Sequence, residues 1–136
     1  MYRTLVDPAT LARHLDDPRW VVIETRHDLT QPAWGEEEYR EEHIPGARFL
    51  HLDRDLAAPK TGRNGRHPLP SPVAAAATFG AAGIDADKQV VVYDQNLGAY
   101  AARCWWMLRW LGHDAVAVLD GGWDRWMREQ RPITGE

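Results

Sequence analysis

The segment from Gln89 to Leu111 constrains the fold of this chain more than any other stretch. It starts with the apolar run Val90 to Tyr93, continues through the polar loop Asp94 to Gly98, and ends in an almost wholly apolar helical stretch. The run lacks apolar and polar alternation, which predicts a strand covered by helices on both faces of a parallel sheet. A helix so apolar is predicted to lie inside a domain. Where such a strand meets such a helix, backbone N–H groups converge, and Asp94 occupies that position.

Patterns of the same kind occur before and after this segment. Strands are predicted at Trp20 to Glu24, Ala47 to Leu52 and Ala115 to Leu119. Helices are predicted from Pro8 to about Leu15, from Glu36 to Glu42, from Val73 to Ala82, and after the turn Asp120-Gly121-Gly122. Strands that alternate with helices predict a three-layer α/β fold with a central parallel sheet. Active sites in such sheets lie at the carboxyl ends of the strands, where Glu24, Asp94 and Asp120 fall.

The length and charge of the chain limit the class of protein. A length of 136 residues favours one domain that spans residues 1–136. The net charge of −4 comes from mixed acidic and basic residues, so neither nucleic acid nor a membrane is expected as a partner. The single cysteine, Cys104, excludes an internal disulfide, and with no signal-like or long apolar run it favours a reducing cytoplasmic setting. No cofactor and no metal are expected.

The seven tryptophans are many for this length. Trp105, Trp106 and Trp110 lie in the central helical stretch, so they are predicted mainly as core residues and partly as anchors of a domain interface. Trp123 and Trp126 follow in the last predicted helix, where they are expected to share one face with Met127.

The segment from Asp53 to Pro70 has little sign of regular structure. It is locally basic, with Arg54, Lys60, Arg63, Arg66 and His67. Loops of this length inside compact domains are usually functional or mobile. Two interpretations stay open: a solvated surface loop, or a segment that binds an anion or a neighbouring domain.

Several separated motifs, taken in order, resemble the rhodanese domain. They are the strand that carries Glu24 with Arg26 behind it, the segment His43 to Ala47, the central strand, loop and helix, and Leu119 to Trp123 with Trp126 behind it. More narrowly, the segment Tyr93 to His113 and the HPLP sequence at His67 resemble the N-terminal module of two-module thiosulfate and mercaptopyruvate sulfurtransferases. The resemblance covers nearly the whole chain and implies a three-layer rhodanese-like α/β domain.

The resemblance also implies a catalytic position. In an active rhodanese module, the loop after the central strand opens with a cysteine, whose thiolate takes sulfane sulfur as a persulfide while the loop N–H groups stabilise the anion. Asp94 stands at that position here, and a carboxylate has no sulfur to carry. This module alone is therefore expected not to perform the family reaction. N-terminal modules of the two-module enzymes are similar, since their catalytic cysteine lies in a second module.

Asp94 and the missing nucleophile allow three interpretations. Cys104 could replace the missing nucleophile, but it lies well inside the helix, where a buried thiol is usually inert. Asp94 could itself act in phosphoryl transfer, but that chemistry needs a second acid two residues on, where Asn96 stands, and magnesium. The preferred interpretation is that Asp94 accepts the N–H groups of its own loop, fills the anion cradle, and is ionised at neutral pH.

In mercaptopyruvate-type enzymes, the resemblance implies that the N-terminal module lends an aspartate and a histidine to the cysteine site of its neighbour. By position these residues are Asp53 and His67. A histidine oriented by a carboxylate suits a proton relay, although an ordinary loop role explains both residues equally well. Arg103 and Arg109 are expected to pack or to form pairs at the domain interface.

Three functional hypotheses follow. The first is a non-catalytic rhodanese module whose partner is a second rhodanese module, in the same chain or another, with a small anionic sulfur substrate at the interface. The second is a stand-alone protein-binding or regulatory module that uses the loop Asp53 to Pro70 and exposed tryptophans. The third is an enzyme with unrecognised chemistry at Asp94 or Cys104.

Overall fold

The computed structural model describes residues 1–136 as a five-stranded sheet with helices against both faces. The strands are β1 (Leu5–Val6), β2 (Trp20–Glu24), β3 (Arg48–Phe49), β4 (Gln89–Tyr93) and β5 (Val116–Leu119). The helices are α1 (Pro8–Arg13), α2 (Trp34–Glu41), α3 (Pro72–Ala81), α4 (Ala99–Trp110) and α5 (Gly122–Arg128). The sheet order is β1-β5-β4-β2-β3, and every neighbouring pair is parallel. The predicted α/β fold with a central parallel sheet is confirmed.

Strand β4 lies at the centre of the sheet, and all five of its residues are buried. Val90 and Val92 pack with α3 and α4 on one face, while Val91 and Tyr93 pack with α1 and α5 on the other. Both faces of the strand therefore need apolar side chains, because neither face meets water. This burial accounts for the unbroken apolar run in the sequence.

The edge strands differ most from the sequence prediction. The two-residue β1 was missed, because Leu5 is exposed and a strand this short leaves no pattern. β3 covers only Arg48–Phe49 instead of Ala47 to Leu52, since it pairs with β2 alone over two residues. Both strands lie at the ends of the sheet order.

Helix α2 begins at Trp34, two residues before its predicted start. Gly35 falls outside the predicted helix but lies inside α2, where the backbone of Arg26 passes directly over it. A Cβ at Gly35 would lie 1.9 Å from the carbonyl oxygen of Arg26. The glycine thus marks a close approach between backbone segments rather than a turn.

The prediction that the apolar central helix lies inside the domain holds for one side of α4 but not for the other. Trp106 is 48% exposed and Trp110 is 37% exposed, and their rings stack with centroids 5.9 Å apart. The two residues are four positions apart, so they share the solvent-facing side of the helix while Cys104, Met107 and Leu108 face the core. At 12 residues α4 is the longest helix, and no helix has the length and apolar composition needed to cross a membrane.

Helix α5 was predicted to place Trp123, Trp126 and Met127 on one face. Trp123 and Trp126 are buried as expected, but Met127 is 38% exposed. The two tryptophans pack in the core beside the sheet, whereas Met127, four positions from Trp123, lies at the border of that face.

Candidate functional site

Asp94 follows β4 directly, is 2% exposed, and binds a ring of backbone N–H groups. Its Oδ1 accepts the N–H groups of Asn96 and Gly98 at 2.9 and 3.0 Å. Its Oδ2 accepts those of Tyr100 and Ala101 at 3.0 and 2.9 Å. The hydrogen bonds that the sequence predicted for Asp94 are present, and we call these four donors with their carboxylate the Asp94 cradle.

The cradle exists because α4 lacks a side-chain cap of the usual kind. Its N-cap residue is Gly98, with φ +88°, and glycine offers no oxygen to the first turn. The N–H groups of Tyr100 and Ala101 would otherwise have no partner, since the first N–H groups of a helix find no carbonyl within the helix. Asp94 supplies the acceptor from four residues upstream of Gly98, and its charge lies at the positive end of the helix dipole.

The backbone of Asp94 is fixed as well as its side chain. Its carbonyl oxygen accepts the N–H of Trp123 at 2.9 Å, so α5 begins against the cradle. A Cβ at Gly122 would lie 2.7 Å from this oxygen, and Gly122 has φ +57°, so the turn needs glycine there. A cleft of about 250 Å³ lies alongside, with Asp94, Leu97 and Asp120 among its lining residues.

Glu24 also ends its strand at the carboxyl edge of the sheet, but it is fully buried. Arg26 donates to both of its carboxylate oxygens, at 2.8 and 3.0 Å, and the Tyr93 hydroxyl donates to Glu24 as well. Burial raises the pKa of Glu24, and the hydrogen bonds from Arg26 and Tyr93 oppose that rise only in part. Arg26 also lies 4.2 Å over the ring of Trp123. This group is a closed internal network with no side open to a substrate.

Asp53 and His67 come together across the long loop. The Nδ1 atom of His67 lies 3.1 Å from Oδ1 of Asp53, and their side chains are 27% and 40% exposed. No hydrogen bond links Nε2 of His67 to another residue. A carboxylate on one ring nitrogen and a free second nitrogen is an arrangement that can move a proton.

Arg103 anchors the loop that carries this pair. Its Nη2 donates to the carbonyl oxygens of Leu56 at 2.8 Å and His67 at 3.2 Å, and its Nε is buried without a partner. Burial lowers its pKa. Arg103 thus acts within the domain, where it ties both halves of the loop to α4, whereas Arg109 lies 5.1 Å over the ring of Trp105.

Cys104 lies in the core rather than at the cradle. Its side chain is fully buried on the face of α4 that packs against α3 and the sheet. Burial raises the pKa of its thiol to about 12, so almost no thiolate is present at neutral pH. This position gives no support to the hypothesis that Cys104 is a nucleophile.

Sequence reasoning missed two histidines beside the Asp53–His67 pair. His51 accepts the N–H of Asp53 on Nδ1 at 3.1 Å, and its ring lies edge-on to the ring of His27 with centroids 5.2 Å apart. His27 is 1% exposed, and neither of its ring nitrogens has a hydrogen-bond partner. Burial, and then the nearby His51, lower its pKa. The signal that could have found them is their position, since each follows the end of a parallel strand.

The titratable side chains do not gather into a group of three or more placed to hold a metal ion. The site therefore consists of two arrangements at the same edge of the sheet, the Asp94 cradle and the Asp53–His67 pair. The Asp94 carboxylate binds N–H groups of its own loop, whereas the pair leaves Nε2 of His67 without a hydrogen-bond partner.

Comparison with known proteins identifies the class. The rhodanese-like domain matches residues 7–129, so the chain belongs to the rhodanese-like domain family. A probable 3-mercaptopyruvate sulfurtransferase of Pseudomonas aeruginosa is 48% identical over 124 residues, which is 90% of this chain and 44% of that protein. Thiosulfate sulfurtransferase of Bos taurus is 38% identical over 144 residues, which covers 100% of this chain and 47% of that protein.

Solved structures agree with this assignment. The structure of 3-mercaptopyruvate sulfurtransferase from Leishmania major superposes with a TM-score of 0.88 at 29% identity, over 98% of this chain and 37% of that one. The chain spans about half the length of the two sequence relatives described above. The predicted membership of the rhodanese family is confirmed.

Proposed function

We propose that this chain is a single, non-catalytic rhodanese module, spanning residues 1–136, that completes the active site of a second rhodanese module. The observation that carries the proposal is the Asp94 cradle. Its four N–H donors already bind a carboxylate that has no sulfur to transfer. Transfer of sulfane sulfur from thiosulfate or mercaptopyruvate to a thiophilic acceptor then takes place at the cysteine of the second module.

The Asp53–His67 pair supplies the contribution of this module. The pair is partly exposed, and its geometry leaves Nε2 of His67 free to face a substrate or thiol at a module interface. Asp53 holds the ring in one orientation and stabilises the imidazolium that forms when His67 takes a proton. A small anionic sulfur substrate that carries a thiol, such as mercaptopyruvate, would give its thiol proton to Nε2 of His67 when it is bound between the modules.

The lengths of the relatives support a two-module arrangement. This chain matches 44% of the Pseudomonas aeruginosa protein and 47% of the Bos taurus protein. The remaining length of each relative is enough for a second module of similar size. A cytoplasmic location stays a prediction from the single cysteine.

The test combines the chain with a cysteine-bearing rhodanese module and measures thiocyanate formation from thiosulfate or mercaptopyruvate and cyanide. The chain alone is expected to show no turnover above a Cys104→Ser control. With the second module present and mercaptopyruvate as the sulfur donor, His67→Ala and Asp53→Asn should each lower kcat/KM by about 10²-fold. Asp85→Asn, an exposed acid away from the pair, is the matched control and should have no effect. Turnover by the chain alone that depends on Cys104 would overturn the proposal.

A second candidate is a stand-alone module that binds or regulates another protein. The stacked, exposed pair Trp106 and Trp110 favours it, because aromatic side chains are enriched at protein interfaces. The same assay separates the two candidates. A chain that leaves the turnover of the cysteine-bearing module unchanged supports the second candidate, and a gain that depends on His67 supports the first.

A further inference from the structure

His51 makes hydrogen bonds through both of its ring nitrogens. Nε2 lies 2.7 Å from the carbonyl oxygen of Pro32. Nδ1 faces the N–H of Asp53 at 3.1 Å and, more weakly, the N–H of Arg54 at 3.4 Å. The ring thus connects the segment before α2 to the turn that carries Asp53.

These partners determine the protonation state of the ring. A carbonyl oxygen can only accept, so Nε2 must carry a hydrogen. A backbone N–H can only donate, so Nδ1 must offer a lone pair. Only the neutral imidazole with its hydrogen on Nε2 satisfies both sides at once. A proton added at Nδ1 would point at two N–H donors and break the contact with Asp53.

The groups around His51 carry both signs of charge. His51 donates its own backbone N–H to Asp55 at 2.7 Å, and Asp53 lies two residues further along the chain. Glu36 of α2 pairs with Arg54 at 2.8 Å. The hydrogen bond from Arg54 is the main cause that lowers the pKa of Glu36. The carboxylates of Glu36, Asp53 and Asp55 therefore surround the ring, together with the cation of Arg54 and the ring of His27.

We propose that His51 is a positioning residue for the Asp53–His67 pair, which keeps its present geometry only while the His51 ring is neutral. The catalytic meaning of this inference rests on the proposed function, but the coupling itself is a property of this chain. His51 holds the backbone of Asp53, and Asp53 holds the ring of His67. Protonation of His51 therefore releases the first link and lets the carboxylate leave the histidine.

The inference makes the site sensitive to pH in one direction. At higher pH, neutral His51 accepts the Asp53 N–H, and the pair is formed. Once the His51 ring takes a proton, the turn opens and the Asp53–His67 hydrogen bond is lost. In an enzyme that contains both modules, protonation of His51 would lower kcat/KM at acid pH. This loss would add to the one caused by protonation of His67.

The test uses nuclear magnetic resonance on the 136-residue chain from pH 5 to 8. The backbone N–H signal of Asp53 and the ring nitrogens of His51 and His67 are followed in the wild type, His51→Asn and His51→Leu. An asparagine oxygen can accept the N–H two residues ahead and does not titrate, whereas leucine has no acceptor. His113→Asn, a histidine that bonds to Lys88 instead, is the matched control.

In the wild type, the Asp53 N–H should lose its hydrogen-bonded shift with the same midpoint as the His51 ring. His51→Asn should keep that shift at all pH values, His51→Leu should lack it even at pH 8, and His113→Asn should behave as wild type. An Asp53 signal in His51→Leu that matches wild type at pH 8, or a His51 ring that never titrates, overturns the inference. Failure of the proposed function would appear instead as absent turnover with the second module while this coupling persists.

Discussion

The Asp94 cradle and the Asp53–His67 pair lie at the same edge of the sheet but differ in how complete they are. The cradle is 2% exposed at its carboxylate, and four donors use both oxygens. The pair is exposed by 40% at Asp53 and 27% at His67, with a single contact between the two side chains. The cradle, whose hydrogen bonds are all made within the domain, stabilises the fold. The pair still has a free ring nitrogen, so its chemistry depends on a partner module that covers it.

The two regions also differ in the distance along the chain over which they are built. The donors of the cradle all lie within seven residues of Asp94. The pair joins residues 14 apart, and Arg103 of α4 holds its loop from 36 residues beyond His67. The local site is therefore expected to resist change, and the assembled site to depend on supporting residues.

The largest expected effect concerns Cys104, which is buried in the core on α4, the helix whose first turn supplies two donors of the cradle. Burial raises the thiol pKa from 9.0 to about 12. At pH 8 the thiolate fraction then falls about 1,000-fold, and alkylation by iodoacetamide should slow by about the same factor relative to the chain unfolded in guanidinium. Mass spectrometry of the labelled chain measures both rates. If the native chain were alkylated within tenfold of the rate of the unfolded chain, the thiol would be accessible to solvent. Cys104 would then again be a candidate nucleophile.

A smaller effect is expected when the carboxylate of the cradle is removed. Asp94→Ala leaves four N–H donors without their acceptor in a buried place, which should lower the free energy of unfolding by about 3 kcal/mol. Urea denaturation followed by tryptophan fluorescence measures the change.

The matched control for this variant is Asp120→Ala, since Asp120 also follows a strand at this edge but is exposed. Its single contact to Arg125 lies at the surface, so its loss should cost less than about 0.5 kcal/mol. If both variants lost the same stability, the cradle would not be the closed and stabilising site described above.

The smallest effect on stability is expected at the open pair. Asp53→Ala and His67→Ala each remove a partly exposed contact, so the free energy of unfolding should change by less than about 0.5 kcal/mol. The same variants are expected to lower the turnover of a completed enzyme, as proposed above. A stability loss as large as that of Asp94→Ala would show instead that the pair is a structural element of the loop.

The sequence predicted the interior of this fold better than its edges. β2 is found where it was predicted, and β4 extends the predicted run Val90 to Tyr93 by one residue, because burial on both faces leaves an unbroken apolar run. β1 escaped prediction, and β3 was predicted too long, since a two-residue edge strand depends on its neighbour rather than on its own residues. The exposure of Trp106 and Trp110 on α4 was not predicted either. A helix that is apolar on all sides has no polar face from which its solvent-facing side could be recognised.

The candidate site divides in the same way. The N–H bonds of Asp94 follow from local chain geometry, so the sequence could predict them. The approach of His67 to Asp53 was suggested only by family resemblance, because the loop has no periodic pattern. His51 and His27 were missed since their roles depend on packing between separate segments, which a linear sequence does not display.

The Asp94 cradle has a consequence for how this domain responds to its solution. The Asp94 carboxylate already occupies the four N–H donors, so sulfate, phosphate or thiosulfate in the buffer cannot bind there. At constant ionic strength, these anions should therefore leave the melting temperature of the domain unchanged. Asp94→Gly would remove the carboxylate, and the four free N–H groups would then bind oxyanions from solution.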